Sequence, residues 1–414
     1  MTRLSLPKAQ VRILLLEGIH ENAVADLAAD GYSAITALPG ALGEEELIER
    51  LQGVRLLGIR SRTKVTPRVL AAADRLIAIG CFCIGTDQVA LTAARERAIP
   101  VFNAPFSNTR SVAELVLGQI VMLMRGIFPK SVAAHRGEWI KSAANSWEVR
   151  GKTLGIVGYG NIGAQLSVLA EALGMHVLFY DPSPKLPLGR AEACPTLAEL
   201  LGRSDVISLH VPDTDQTRWM MGAEQIRAMR PGSFLINASR GRVVDVEAMA
   251  AAIRDGHLLG GAADVFPDEP TGAREEFLSP LRGLPNVILT PHIGGSTAEA
   301  QERIGHEVAR KLADYSDIGA TFGAVNFPQV QLPARPSGTR FMHVHRNAPG
   351  MLFHVIEVFS RRGLNIGAQY LQTDGDLGYV VLDIDGGAED ALEILGELRA
   401  IEGTLRARFL YERH

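Results

Sequence analysis

The segment Gly158-Tyr159-Gly160-Asn161-Ile162-Gly163 constrains this chain more than any other. A short apolar run, Thr153–Val157, leads into it, and a helical pattern over 164–173 follows. Asp181 closes the next strand, 23 residues after Gly158. Three glycines at this spacing, between a strand and a helix and with an acid at the next strand end, predict a dinucleotide-binding βαβ unit. Gly158 serves the tight turn, Gly160 the approach of backbone to a pyrophosphate, and Gly163 close helix–strand packing. Tyr159, Asn161 and Ile162 complete the loop, and the helix start offers free N–H groups and a positive dipole end to phosphates. Asp181 suits a ribose 2′-hydroxyl and would repel a 2′-phosphate, so NAD is expected over NADP.

One such unit does not fill 414 residues. At ~150 residues per domain, the length predicts two to three domains. Lys plus Arg number 42 and Asp plus Glu 46, for a net charge of −4. This balance argues against a nucleic-acid coat or a membrane-surface binder. A chain 47% hydrophobic and 21% charged reads as folded rather than disordered. No apolar run reaches the ~18 residues of a membrane span. Residues 1–10 hold no apolar signal core, which predicts a cytoplasmic protein. Cys81, Cys83 and Cys194 form no CxxC pair and no disulfide framework, and no metal site is expected.

Upstream of the fingerprint, apolar runs at 11–16, 55–59 and 76–79 alternate with helical patterns at 21–30 and 69–73, which predicts a parallel sheet covered on both faces. Residues 111–124 read as a long helix that is apolar around most of its circumference. His135 to Trp139 reads as a polar loop whose Trp packs on the core or anchors a partner subunit. Downstream, strands are expected at 176–180, 206–210, 234–237, 261–265 and 287–289, then a helix at 298–316. The proline-bearing stretch 327–338 reads as a linker. The remaining residues follow the order βαββαβ of a ferredoxin-like module.

Polar residues follow three strands of the fingerprint domain, where open α/β sheets bind ligands. His292 is the candidate acid–base, because an imidazole titrates near neutrality. Glu269 would orient it and favour its charged form. Arg240 would grip a carboxylate in bidentate fashion and polarise a neighbouring oxygen. Taken singly, each also reads as a core histidine, a helix-start acid and a surface cation; together they fit oxidation of a 2-hydroxy acid.

The blocks Gly158 to Gly163, Ser208-Leu209-His210-Val211-Pro212, Asn237-Ala238-Ser239-Arg240-Gly241, Asp264-Val265-Phe266 and Thr290-Pro291-His292-Ile293-Gly294 resemble motifs of the D-isomer-specific 2-hydroxyacid dehydrogenases. Segments 80–86, 102–112 and 369–373 resemble the members that oxidise 3-phospho-D-glycerate to 3-phosphohydroxypyruvate, the first step of L-serine biosynthesis. The resemblance implies an α/β fold with three parts. A discontinuous flavodoxin-like substrate domain spans 1–108 and 295–335, a Rossmann-type NAD domain spans 109–294, and a ferredoxin-like ACT domain spans 339–414. It gives Arg240, Glu269 and His292 the roles argued above and lays His210, Ala238 and Asp264 along the cofactor, with Arg240 and His292 beside it. Arg60, Ser61 and Asn108 are implied at the doubly anionic substrate, with Arg62 and Lys141 as further cations, Lys141 from a neighbouring subunit. Gly294-Gly295 suits a hinge.

The tail's resemblance to an ACT domain implies feedback inhibition by L-serine at His345, Asn347 and Asn365, and pairing of copies into a homotetramer. Arg346 and Ser337-Gly338 depart from the family pattern and bear on how strongly serine acts. The alternatives are another 2-ketoacid reductase, for instance on 2-oxoglutarate, and a non-enzymatic NAD(H)-sensing corepressor. Retention of Arg240, Glu269 and His292 speaks against the corepressor.

Overall fold

Continuous apolar strands make sheets that need cover on both faces, and the computed structural model shows two such sheets and a third, antiparallel one. It describes residues 6–270, 275–333, 339–385 and 390–410. The chain divides into two units, Met1–Ser107 with Gln301–His414, and Asn108–Ala300.

In the first unit, β1 (Ile13–Leu15), β2 (Ile35–Ala37), β3 (Leu56–Ile59), β4 (Ala78–Cys81) and β5 (Val101–Phe102) form a parallel sheet in the order β2-β1-β3-β4-β5. Ile13, Leu15 and Leu56 pack on one face beneath Leu27, Val308 and Leu312. Leu14, Leu57 and Ile79 pack on the other beneath Leu47, Val69 and Leu70. β2 was not expected, because this edge strand is largely exposed and its residues Ile-Thr-Ala make no apolar run.

The second unit holds β6 (Thr153–Val157), β7 (His176–Tyr180), β8 (Glu192–Ala193), β9 (Val206–Leu209), β10 (Ser233–Asn237), β11 (Leu258–Ala263) and β12 (Val287–Leu289). Their order is β8-β7-β6-β9-β10-β11-β12, all parallel. The chain leaves β6 toward β7 on one side and returns at β9 on the other, so the topological switch lies above the β6–β9 pair. β11 runs 258–263 rather than the expected 261–265, which leaves Asp264 in the loop beyond it. The long helix is Thr109–Arg125; Val112, Val116, Ile120 and Leu123 bury against Ile156, Leu166, Phe234 and Ile236. It ends at Gly126 in the left-handed region (φ 56°), and a second helix, Ile127–His135, departs at 70°. His135 therefore closes a helix rather than opening a loop; Pro129 sits in its first turn, where no backbone donor is lost. Trp139 is 87% exposed, so it is not a core residue of this chain. Among the described residues no single helix is long and apolar enough to cross a membrane.

The third sheet belongs to the first unit: β13 (Thr339–Arg346), β14 (Ile366–Asp374), β15 (Leu377–Ile384) and β16 (Thr404–Phe409), antiparallel in the order β14-β15-β13-β16. Helices Met351–Arg361 and Ala391–Ala400 cover one face. On the other, Met342, Val344, Tyr379 and Val381 join the core built on Val308 and Leu312 of helix Ala298–Ile318. Arg340, fully buried, pairs with both oxygens of Asp383 through its Nε–Nη2 edge and donates from Nη1 to Ile318 O at 3.1 Å. Tyr379 donates its hydroxyl to Gly319 O at 2.7 Å. The sheet is thereby tied to the C-terminal end of that helix. Part of the expected linker packs into the core rather than serving as a solvated spacer: Phe327, Val330 and Leu332 bury their side chains, while Gln329, Gln331 and Pro333 are exposed. The Ser337-Gly338 departure, the helix start at Ala388 and the strand end at Tyr411 lie outside the described residues.

Candidate functional site

The fingerprint loop sits at the carboxyl end of β6. Gly158 is left-handed (φ 91°), and a methyl there would lie 2.6 Å from His210 O. A methyl on Gly163 would lie 2.3 Å from Gly158 O. Gly160 is exposed, with nothing within 4 Å of where a side chain would stand, so its backbone is open to a ligand. It also precedes helix Asn161–Ala172 with no side-chain cap, which leaves first-turn N–H groups for an anion. Asn161 and Ile162 open that helix. Tyr159 is different: its ring is buried, stacked on Phe179 at 3.9 Å, and its hydroxyl pairs with Ser167 Oγ at 2.8 Å. Its contribution at the loop is backbone.

Asp181 Oδ2 accepts the Tyr159 N–H and Oδ1 the Ser183 N–H, both at 2.9 Å, which fixes the carboxylate at the end of β7. His210, at the end of β9, pairs Nε2 with Ser208 Oγ at 2.9 Å, while its buried Nδ1 has no protein partner among the described residues. Burial pulls its pKa down to about 4, so the ring is neutral at physiological pH. An orphaned buried ring nitrogen beside an open glycine backbone at the topological switch fits a dinucleotide.

Two further loops converge on one carboxylate–imidazole pair. His292 Nδ1 and Glu269 Oε2 are 2.8 Å apart. The Glu269 hydrogen bond and charge, with Asp264 behind it, raise the His292 pKa above its ordinary value against burial and Arg240. Burial opposes the Glu269 charge, but His292, the Phe266 N–H and Arg240 outweigh it and hold the carboxyl below its usual range. Nδ1 being taken, Nε2 is the nitrogen left for chemistry. His292 adopts φ 54°, a strained value for a residue with a side chain. Asp264 holds it there: Oδ1 accepts Thr290 Oγ1 (2.6 Å) and Ile293 N (2.9 Å), and Oδ2 accepts Gly294 N (2.8 Å). Asp264, expected along the cofactor, thus has both oxygens engaged in shaping the histidine loop. Gly294 packs tightly, since a methyl there would lie 3.0 Å from Asp264 Oδ2.

Arg240 follows β10 and Ala238 in a turn built by buried Asn237. Asn237 Oδ1 accepts the Ser239 N–H and Oγ at 3.1 and 2.8 Å, and its Nδ2 donates to Arg240 O at 2.9 Å. A methyl on Gly241 would stand 1.9 Å from Phe266 O. Two backbones therefore touch at this point, and Arg240 shares its surroundings with Glu269. Asn237 and Gly241 were readable only as motif letters; their roles need the fold. Asn108 lies in the same unit, with its Oδ1 buried and without a partner among the described residues and its Nδ2 2.6 Å from where a Gly295 side chain would begin. Lys141 is exposed on the loop after helix Ile127–His135.

In the other unit, Arg60, Ser61 and Arg62 follow β3. Sequence reasoning missed what shapes this loop. Glu17, only 4% exposed and at φ 64°, accepts the backbone N–H groups of Arg60 (3.2 Å), Arg62 (3.0 Å) and Thr63 (2.8 Å). The two guanidinium groups also fold back toward Glu17: Arg60 Nη1 donates to its carbonyl oxygen at 3.5 Å, and Arg62 Nε lies 3.8 Å from its Oε2.

On the third sheet, His345 is buried with its Nδ1 3.1 Å from His343 Nδ1, and burial lowers the pKa of both, His343 to about 4. Asn347 donates to Gly375 O at 3.0 Å, and Asn365 to Asp385 Oδ2 at 2.6 Å. Arg346 stands opposite Leu377 and Ile366 opposite Ile384. The two asparagines therefore stand at opposite ends of β15, and one chain does not bring them together.

Residues 117–294 match the family profile described as D-isomer specific 2-hydroxyacid dehydrogenase, NAD binding domain, and residues 341–406 match an AHAS small subunit-like ACT domain. D-3-phosphoglycerate dehydrogenase of Escherichia coli K12 is 55% identical over 411 residues, 99% of this chain and 100% of that protein. The Haemophilus influenzae protein of the same name is 54% identical over 99% of each. Among solved structures, D-lactate dehydrogenase from Aquifex aeolicus complexed with NAD and lactic acid superposes with a TM-score of 0.64. It shares 28% identity and covers 73% of this chain and 95% of its own.

Proposed function

The chain belongs to the D-isomer-specific 2-hydroxyacid dehydrogenases, and from that premise we propose that it oxidises 3-phospho-D-glycerate to 3-phosphohydroxypyruvate with NAD, the first step of L-serine biosynthesis. The observation that carries the reading is the Glu269–His292 pair beside Arg240, in a chain matched along its whole length by proteins of that activity. NAD, when bound, would supply the acceptor for the hydride on C2. Gly158, Gly160, the start of helix Asn161–Ala172 and Asp181 would hold it, with His210 Nδ1 as a further contact.

His292 Nε2 takes the proton of the C2 hydroxyl, and Glu269 at Nδ1 stabilises the imidazolium that forms. In the reverse direction the imidazolium returns the proton to the C2 oxygen. Arg240 binds the substrate carboxylate and polarises the C2 oxygen. Arg60, Ser61, Arg62, Asn108 and Lys141 supply the remaining cations and donors for an anion at each end of the substrate, Lys141 from a neighbouring subunit. The working domains are 1–108 with 295–335 for substrate, 109–294 for NAD and 339–414 for regulation, with Gly294-Gly295 as the hinge.

L-serine binds at His345 and Asn347 of one copy and Asn365 of another. The separation of the asparagines along β15 supports this reading, and so does the exposed edge strand β14. Pairing there and through the nucleotide domain, with exposed Trp139 as an anchor, makes a cytoplasmic homotetramer.

NADH oxidation with phosphohydroxypyruvate, titrated with L-serine, tests the reading. Turnover that serine depresses is expected. Turnover with 2-oxoglutarate but none with phosphohydroxypyruvate would overturn the substrate assignment.

Glu269→Gln removes the charge that raises the His292 pKa. Keto-acid reduction needs protonated His292 and fails as pH rises through that pKa, so this limb of the pH–rate profile will move to lower pH in the variant. The rising limb for hydroxy-acid oxidation will move the same way. Unmoved limbs would remove Glu269 from its role.

A further inference from the structure

The loop after β3 is held from two sides by buried polar side chains. Glu17 stands just beyond β1, with Oε1 on the N–H groups of Arg60 and Thr63 and Oε2 on that of Arg62. Gln88, 6% exposed, donates its Nε2 to Arg60 O at 2.5 Å. The Gln88 backbone is tied to the same segment, since Val65 N–H donates to Gln88 O at 2.8 Å and Ala90 N–H to Val65 O at 2.9 Å. Both the N–H and the C=O of Arg60 are therefore fixed by buried side chains that come from other loops. Glu17 carries two costs in doing this, a left-handed backbone and a carboxylate withdrawn from water. Its charge is also of the wrong sign to attract an anion. What it supplies is geometry. Three N–H groups converging on two oxygens set the backbone from which Arg60, Ser61 and Arg62 extend.

We propose that Glu17 and Gln88 are positioning residues for the phosphate end of the substrate, acting through Arg60, Ser61 and Arg62 rather than on the ligand itself. The inference rests on the proposed 3-phospho-D-glycerate activity, in which Arg240 takes the carboxylate and this loop takes the phosphate. The loop is ordered on folding, so the anion does not have to order it on binding. The phosphate keeps its charge while hydride leaves C2. Its contacts contribute equally to the ground state and the transition state, and they are read in KM rather than kcat.

Steady-state reduction of phosphohydroxypyruvate by the full-length enzyme tests this, with NADH affinity and melting temperature measured alongside. In Glu17→Gln the remaining oxygen can hold Arg60 and Thr63, but the amide nitrogen then meets the Arg62 N–H donor to donor. KM for the keto acid should rise about ten-fold or more, as for a weakened charge-assisted contact, with kcat and NADH affinity within about two-fold of the wild type. The sign separates positioning from simple electrostatics, because removing a negative charge beneath an undisturbed anion loop would lower KM. Gln88→Leu leaves Glu17 in place and releases Arg60 O. It should raise KM in the same selective way, and it carries the test if Glu17→Gln does not fold. An unchanged or lowered KM in either folded variant overturns the proposal. So does a KM rise accompanied by equal losses of kcat and NADH affinity, or failure of both variants to fold, since the two residues would then be structural only. Arg60→Gln distinguishes the premise from the inference. If it raises KM while Glu17→Gln and Gln88→Leu do not, the inference alone falls. If it leaves KM unchanged, or if the wild type does not turn over phosphohydroxypyruvate, the assignment of this loop to the phosphate falls and the inference with it.

Discussion

His292→Ala will lower turnover by about 10³-fold, within the 10²–10⁴ range of a positioned acid–base group, while NAD affinity stays within about two-fold of the wild type. The separation follows from where the groups sit. The dinucleotide is held by the β6 turn, the helix after it and Asp181 at the end of β7. His292 stands beyond β12, on a loop shaped by Asp264. Asp264 grips the backbone of Ile293 and Gly294 and the Thr290 hydroxyl, not the imidazole, so alanine at 292 leaves the loop tied. It also relieves no contact needed by Glu269, whose Oε1 keeps the Phe266 N–H. Stopped-flow measurement of NADH formation together with fluorescence titration of NADH binding reads both quantities. A fully active variant would take the acid–base role away from His292. Loss of NADH binding in parallel with turnover would mean that the loop, rather than the imidazole, had been removed.

What was legible in advance divides along a physical line. The glycine fingerprint is local: each glycine answers a steric demand from residues a few positions away or one strand over, and the pattern is written in sequence order. Strand ends carrying Arg240, Glu269 and His292 were legible because open parallel sheets present their carboxyl edges to ligands. The antiparallel module declared itself by the βαββαβ order of its strand and helix patterns. The missed edge strand β2 lacks the apolar signal because half of its environment is water. Glu17 was illegible for another reason. Nothing around it in sequence marks it, and its role is to accept backbone donors 43 to 46 residues away, a relation that exists only after β1 and β3 pair. Asp264 was seen, but its two oxygens turn out to organise a loop 26 to 30 residues downstream.

Gly241→Ala should be the most damaging substitution at the site that touches no functional group. A methyl at 241 would meet Phe266 O at 1.9 Å, Phe266 C at 2.0 Å and Pro267 N at 2.5 Å. These are backbone atoms, so no rotamer change relieves the clash. Neither side is free to retreat. The 237–240 turn is fixed by three hydrogen bonds of the Asn237 side chain, one donated and two accepted. Phe266 is anchored by its N–H to Glu269 and by its ring against Phe277 at 4.5 Å. Separation of the two loops moves Arg240 and Glu269 together, and with Glu269 the orientation of His292. A displacement of ~1 Å at reacting groups costs on the order of 10²-fold in rate, and overpacking of this kind costs about 1–3 kcal/mol in stability. The expected result is a kcat/KM lower by about 100-fold or more, with a lowered melting temperature and an altered pH profile, since the Glu269–His292 bond is disturbed as well. Gly202→Ala is the matched control, because that glycine lies exposed in helix Leu197–Arg203 with nothing within 4 Å of the added methyl. It should retain wild-type kinetics. If Gly241→Ala behaves like Gly202→Ala, the two loops are not locked backbone to backbone, and the joint positioning of Arg240 and Glu269 must come from elsewhere.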